Sequence, residues 1–334
     1  MEALSFSQPP ARVASAGAPN SSAKPTDAFF RDASICPDGS CVLAAAEDRS
    51  LSLFPLPSDL SPTSPSEPPS LEPHWTHTPP DSLLSTAWYP GASIADPSMF
   101  AFAVGVKDHP VHLLDGYSKR VRASYPIVDH VERFVAPHSM EFSADGTSLY
   151  CGFENAIEIF DVSVPGAAGF RLPTIATRSS RSGQKGIISC LAISPPSSSA
   201  GSFLAAGSYG SGGAVGLYDP SAPAKAALFS LLQPSQKGGV TQVAFNPEAP
   251  HLLFGASRQS SAIDVWDLRN THETVSGGRM KRQGRTNQRL GFSIDPTGAW
   301  LAAGDQTGDL SVFNAQPLAE QLEPVATFSL SSGA

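Results

Sequence analysis

Twelve residues, Gly278 to Arg289, hold the densest chemistry in the chain: Arg279, Lys281, Arg282, Arg285 and Arg289 fall within GRMKRQGRTNQR without a single acid. Guanidinium groups present planar forks of donors that match phosphate oxygens, so such a run suits a phosphate-bearing polymer. The same residues also read as a solvated loop or a basic transport signal, and their types alone leave these three open. A second basic run, Arg171, Arg178, Arg181 and Lys185, precedes another apolar strand pattern. Between Val162 and Leu290 thirteen Lys and Arg stand against five Asp and Glu, although the whole chain carries a net charge of −8. This asymmetry describes a basic face on an acidic body and favours a polyanionic partner. The candidate phosphate contacts are Lys185, Arg258, Arg279, Lys281, Arg282, Arg285 and Arg289. Tyr209 is the candidate for stacking on a base, though a tyrosine packed between two repeats fits the same pattern.

Other chemistries find less support. The glycine-rich stretch Gly207-Ser208-Tyr209-Gly210-Ser211-Gly212-Gly213 would cradle a phosphate only if it opened a helix, and a strand pattern follows it instead. His109 with His112, and His74 with His77, lack a nearby third metal ligand. No acid–base constellation can be assembled, so no catalytic residue, metal, cofactor or small-molecule substrate is expected. Cys36, Cys41, Cys151 and Cys190 form no CxxC pair, and three lie in strand patterns. They read as structural thiols of a reducing, intracellular compartment. No apolar run approaches the roughly 20 residues that span a bilayer. Met1 to Asp27 lacks the basic start and apolar block of a secretory signal.

The elements that must position these residues repeat about every fifty residues from Phe29 to Leu330. Each copy runs apolar strand, Pro/Asp-Gly turn, small-residue strand, tight loop and a strand ending in an apolar residue and Asp. Gly239 to Pro247, Leu252 to Ser257 and Ala262 to Asp267 make the cleanest copy. Such a period predicts an all-β, WD40-type β-propeller with six complete blades, residues 29–330 forming one domain between loose tails at 1–28 and 331–334. The eight prolines from Pro57 to Asp81 mark an exposed insertion in blade one, with His74 to Thr78 as its outer strand. Trp266-Asp267, Tyr218-Asp219, Phe160-Asp161 and Leu114-Asp115 read as architecture, the apolar member filling space between blades. Gly278 to Arg289 should then be a loop between blades five and six, on one face with the loop before blade four and with Tyr209. A ring of blades must close, so either a tail strand such as Leu4 to Ser7 assists or a seventh blade is missing.

Several segments resemble the WD-repeat telomerase Cajal body protein family, also described as the WD protein antisense to p53. They are Cys36 to Pro57, Ala136 to Phe153, Gly183 to Pro195, Ala205 to Gly210, Val265 to Arg269 and Thr286 to Gly298, in order along most of the chain. The resemblance implies a seven-bladed, non-enzymatic scaffold that binds small Cajal body RNA and telomerase RNA through a short box in an RNA loop. It implies that the scaffold directs these RNAs and their protein particles to nuclear Cajal bodies, as a monomeric propeller away from membranes. The chain departs from the family pattern in lacking a recognisable seventh blade. A protein–protein scaffold without direct RNA contact is the alternative reading.

Overall fold

The computed structural model describes residues 6, 10–17, 29–58, 69–177, 183–196, 203–210, 213–219, 228–269, 274–316 and 322–330. They form strands and turns, with no helix among them. Six four-stranded antiparallel sheets follow one another as the blades of an all-β propeller fold. Blade one contains β1 (Phe30–Ile35), β2 (Cys41–Ala46), β3 (Leu51–Pro55) and β4 (Trp75–His77). Blade two contains β5 (Leu83–Trp88), β6 (Ala101–Val106), β7 (Val111–Asp115) and β8 (Val121–Tyr125). Blade three contains β9 (Ser139–Phe142), β10 (Ser148–Phe153), β11 (Ala156–Asp161) and β12 (Phe170–Pro173). Blade four contains β13 (Ile188–Ile193), β14 (Leu204–Ser208), β15 (Ala214–Tyr218) and β16 (Leu228–Leu232). Blade five contains β17 (Val240–Phe245), β18 (Leu252–Ser257), β19 (Ala262–Asp267) and β20 (Thr274–Lys281). Blade six contains β21 (Phe292–Ile294), β22 (Trp300–Gly304), β23 (Asp309–Asn314) and β24 (Ala326–Ser329).

By contact the chain divides into two compact units. The first holds Met1–Pro9, Tyr150–Ile159 and Phe170–Ala334, and so blades four to six; the second holds Pro10–Leu149 and Phe160–Gly169, with blades one and two. In the first unit, Leu252, Phe254, Ile263 and Met280 of blade five pack on Phe292, Leu301 and Phe313 of blade six. In the second, Leu43, Leu51, Leu53 and Trp75 of blade one pack with Phe100, Phe102 and Leu114. In blade five a glycine on the second strand gives room to the aromatic residue on the third. A Cβ at Gly255 would lie 2.5 Å from the Trp266 ring, so glycine lets the indole lie flat on the sheet. Trp266, Tyr218, Phe160 and Leu114 are buried, as their pairing with Asp suggested. Their Asp partners serve the turns: Asp115 accepts from the Ser118 amide at 2.7 Å and Asp161 from the Ser163 amide at 2.9 Å.

The Pro/Asp-Gly turns form where read, with Gly39, Gly146 and Gly298 at φ of 74°, 71° and 63°. The outer strand in the proline-rich insertion is β4; residues 59–68 lie outside the described set. Of the tail segment Leu4 to Ser7 only Phe6 is described, its ring edge-on to Trp300 at 4.7 Å. One expectation needs correction. Gly278 to Arg289 is not a loop throughout, because its first four residues complete β20. Arg279, Met280, Lys281 and Arg282 alternate exposed, buried, exposed, buried, the period of a strand with one face against the core. The connection proper begins at Arg282.

Candidate nucleic-acid interface

In an antiparallel blade, the link from second to third strand and the link from the fourth strand to the next blade emerge at the same end. Within the first unit these links bind one another. The Tyr209 amide donates to the Ile187 carbonyl at 2.9 Å and the Arg258 amide to the Gly239 carbonyl at 2.8 Å. The Gln259 amide donates to Thr286 O at 2.9 Å, and its side-chain amide to Asn287 Oδ1 at 2.9 Å. The Arg285 amide reaches Gln306 Oε1 at 3.2 Å. Glycines make the approaches possible: a Cβ at Gly210 would lie 2.0 Å from Lys185 O, and one at Gly238 2.1 Å from Arg258 O. A continuous ridge of backbone therefore runs from Lys185 through Tyr209 and Arg258 to Arg285.

The described connections on this ridge carry Lys185, Lys237, Arg258, Arg282, Arg285 and Arg289 against the acids Glu154 and Asp305. Lys185, Lys237, Arg285 and Arg289 are exposed. The guanidinium of Arg258 lies over the Tyr209 ring at 4.2 Å, a cation–π stack that presents a flat plane. Arg258 Nε is buried and has no hydrogen-bond partner. Arg289 reaches inward, donating from Nη2 to Ser189 O at 2.7 Å and to Thr241 O at 3.4 Å, which leaves Nε and Nη1 for a ligand.

Arg282 differs from its neighbours. It is buried, and its Nη1 donates to Leu290 O at 3.0 Å, with longer approaches to Gly291 O and Gly304 O. Burial pushes its pKa down to about 10, against the attraction of Asp305. It fastens the connection that displays Arg285 and Arg289. Lys281 pairs with Glu323 at 2.9 Å from the strand edge, and Arg279 stands exposed on β20 opposite Asp264. Arg171 lies on β12, bound to the buried Glu158 carboxylate at 2.7 Å. Arg178 and Arg181 fall outside the described residues.

Two contributors escaped the sequence reading. Lys237 precedes Gly238-Gly239 as Lys185 precedes Gly186, and that shared Lys-Gly step was the available signal. Gln184 is buried and donates to Ala206 O at 2.5 Å and Ala214 O at 3.0 Å, while its Oε1 accepts from Tyr218 at 2.9 Å. It anchors the segment that carries Lys185. The glycine stretch after Gly207 joins β14 to β15, so it offers no helix N-terminus to an anion. Among the described residues no group of three or more His, Cys, Asp or Glu is placed to hold a metal ion. All four cysteines are buried and free. No described helix is long and apolar enough to cross a membrane.

No protein-family profile matches the chain. Individual relatives do. Telomerase Cajal body protein 1 of Rattus norvegicus is 33% identical over 306 residues, covering 90% of this chain and 54% of the relative. Its namesake in Homo sapiens is 33% identical over 313 residues, covering 93% and 54%. The chain thus spans about half the length of these curated relatives. The guanine nucleotide-binding protein negative regulator 1 of Schizosaccharomyces pombe is 30% identical over 90% of this chain, which covers 74% of that protein. Six blades in the same order as the shared segments, and identity sustained along nearly the whole chain, place it in the telomerase Cajal body protein family.

Proposed function

We infer that this protein is a non-enzymatic scaffold that binds a folded RNA, of the small Cajal body or telomerase class, and directs its particles to Cajal bodies in the nucleus. The observation that carries the reading is the ridge of the first unit, with its surplus of cations around the stacked Arg258 and Tyr209. Phosphate contacts supply affinity and orientation, and a few contacts to unstacked bases supply specificity. Lys185, Lys237, Arg258, Arg285 and Arg289 face phosphates, with Arg279 and Lys281 extending the track along β20. Tyr209 and Arg258 offer aromatic and guanidinium planes to a splayed base. Arg282 acts as a positioning residue. The chemistry needs no cofactor and no small-molecule substrate, and the kinship in name to telomerase Cajal body proteins supports association with such particles.

Fluorescence anisotropy with the purified full chain tests this. An RNA hairpin carrying the family's loop box should bind more tightly than a box-mutated control, and both should weaken steeply with salt. Equal binding of the two hairpins would remove box recognition. Absence of binding would favour a scaffold that contacts only proteins.

A further inference from the structure

The second unit carries a different surface at the corresponding end of its blades. The connection from β8 to β9 is anchored by two buried residues, Ile127 and Ala136, and between them it turns back on itself. Val128 and Phe134 form an antiparallel bridge, and the Val135 amide donates to Ile127 O at 2.9 Å. Asp129 clips the tip: it accepts from the Val131 amide at 2.8 Å, the Arg133 amide at 3.0 Å and the Arg133 guanidinium at 2.9 Å. Glu132 completes the turn at φ 62°, a left-handed conformation that a non-glycine residue adopts at a cost. The result is a built finger, and it holds Val131 at 53%, Phe134 at 43% and Val128 at 41% exposure.

Single exposed apolar residues are ordinary, but three large ones within one seven-residue clipped turn are a local concentration that solvent does not favour. Its setting is acidic. The described connections at this end of the second unit hold Glu47, Asp48, Asp81, Asp108, Asp129 and Glu132 against Arg49, Lys107 and Arg133. Arg133 is bound to Asp129, Lys107 lies 3.9 Å from Asp108, and Glu47 is paired with Arg31 of β1 at 3.1 Å. The excess of carboxylates disfavours an RNA or an anionic bilayer here. We propose that the finger Val128–Phe134 is a protein-docking site for a partner segment whose apolar side chains cover Val131 and Phe134 and whose flanking Lys or Arg meet the surrounding carboxylates. The residues of this finger are not among those of the RNA ridge.

Phage display of short random peptides on the full chain, followed by binding of the selected peptides to Val131→Ser/Phe134→Ser, tests the proposal. Both substituted residues are solvent-exposed, so the variant should keep its melting temperature and its affinity for the RNA hairpin. Selected peptides should place Lys or Arg beside Leu, Ile, Phe or Trp and bind the variant about tenfold or more weakly by fluorescence polarisation. Asp129→Ala, which releases the clip, should weaken the same peptides. Peptides that are indifferent to both variants, an acidic consensus, or no enrichment would overturn the proposal. So would a wild-type dimer in light scattering that the double variant converts to monomer, since a second copy would then be the occupant.

Discussion

The two units build the same kind of blade yet finish its connections differently. In the first unit the connections meet through bare backbone at Gly186, Gly210, Gly238 and Gly239, and their side chains are largely cationic. In the second unit carboxylates outnumber cations on the corresponding connections, while a non-glycine residue at positive φ is common to the tight turns of both units, as Arg49 and Asp108 in the second and Asn155 and Gln259 in the first. Sheet geometry is common to both, so the charge at each end is not a consequence of the fold. It is a property laid on the fold, and under the proposed function it assigns the two surfaces to different partners.

The comparison breaks most visibly under charge reversal. Changing Arg258, Arg285 and Arg289 to Glu should cut RNA affinity by roughly 10²–10³-fold at moderate salt. Reversing Glu47, Asp108 and Glu132 to Lys should leave it the same or slightly tighter. Milder substitution, Arg285→Ala with Arg289→Ala, should weaken all RNAs together and flatten the salt slope by about one to two. An unchanged slope would take both residues out of the interface.

Arg282 separates fastening from contact. Arg282→Ala strips the Leu290 carbonyl of its donor and should cost about 1–3 kcal/mol in urea unfolding. Arg282→Met, which fills the space without a buried charge, should cost less than the alanine. Arg285→Ala should change unfolding hardly at all, since its side chain is exposed. Equal costs for Arg282→Ala and Arg285→Ala would mean that both act by the same means.

The second unit offers a pH test near neutrality. Glu141 on β9 is partly buried, and burial pushes its pKa up to about 7 from an ordinary 4.5. A carboxyl raised on folding stabilises fully below the unfolded value, and that stability fades as pH rises through the folded one. Glu141→Gln should therefore match the parent near pH 4 and exceed it above pH 7 by about 1–2 kcal/mol, less than the full shift because water reaches part of the side chain. Parallel pH profiles for the two proteins would show that the carboxyl is not raised. The smallest effect belongs to the exposed pair Lys281–Glu323, where Glu323→Gln should change stability by under about 0.5 kcal/mol.

Much of the fold was legible because alternation and turn chemistry are local. Cys41–Ala46, Leu83–Trp88, Leu252–Ser257 and Ala262–Asp267 can be read directly from their apolar pattern. Outer strands were harder: β12 and β16 carry weak patterns, and β20 was hidden by its charge. The alternation of Arg279, Met280, Lys281 and Arg282 was there to be seen, but four residues with three cations read more readily as loop. The basic ridge was legible as charge and not as contact. Nothing in the types of Arg282 and Arg285 tells which is buried, because that depends on the Leu290 and Gly291 carbonyls at the far end of the same connection and on Gly304 O of blade six. The apolar finger of the second unit left no trace in motif or charge run, since its meaning lies in exposure.

Crosslinking of a box-containing hairpin bearing 4-thiouridine, followed by mass spectrometry, reports most directly where RNA lies on the full chain. Adducts should fall in residues 183–187, 209–213, 237–239, 258–261 and 282–291. Adducts concentrated instead in residues 47–50, 107–110 or 126–138 would contradict the assignment of RNA to the basic ridge.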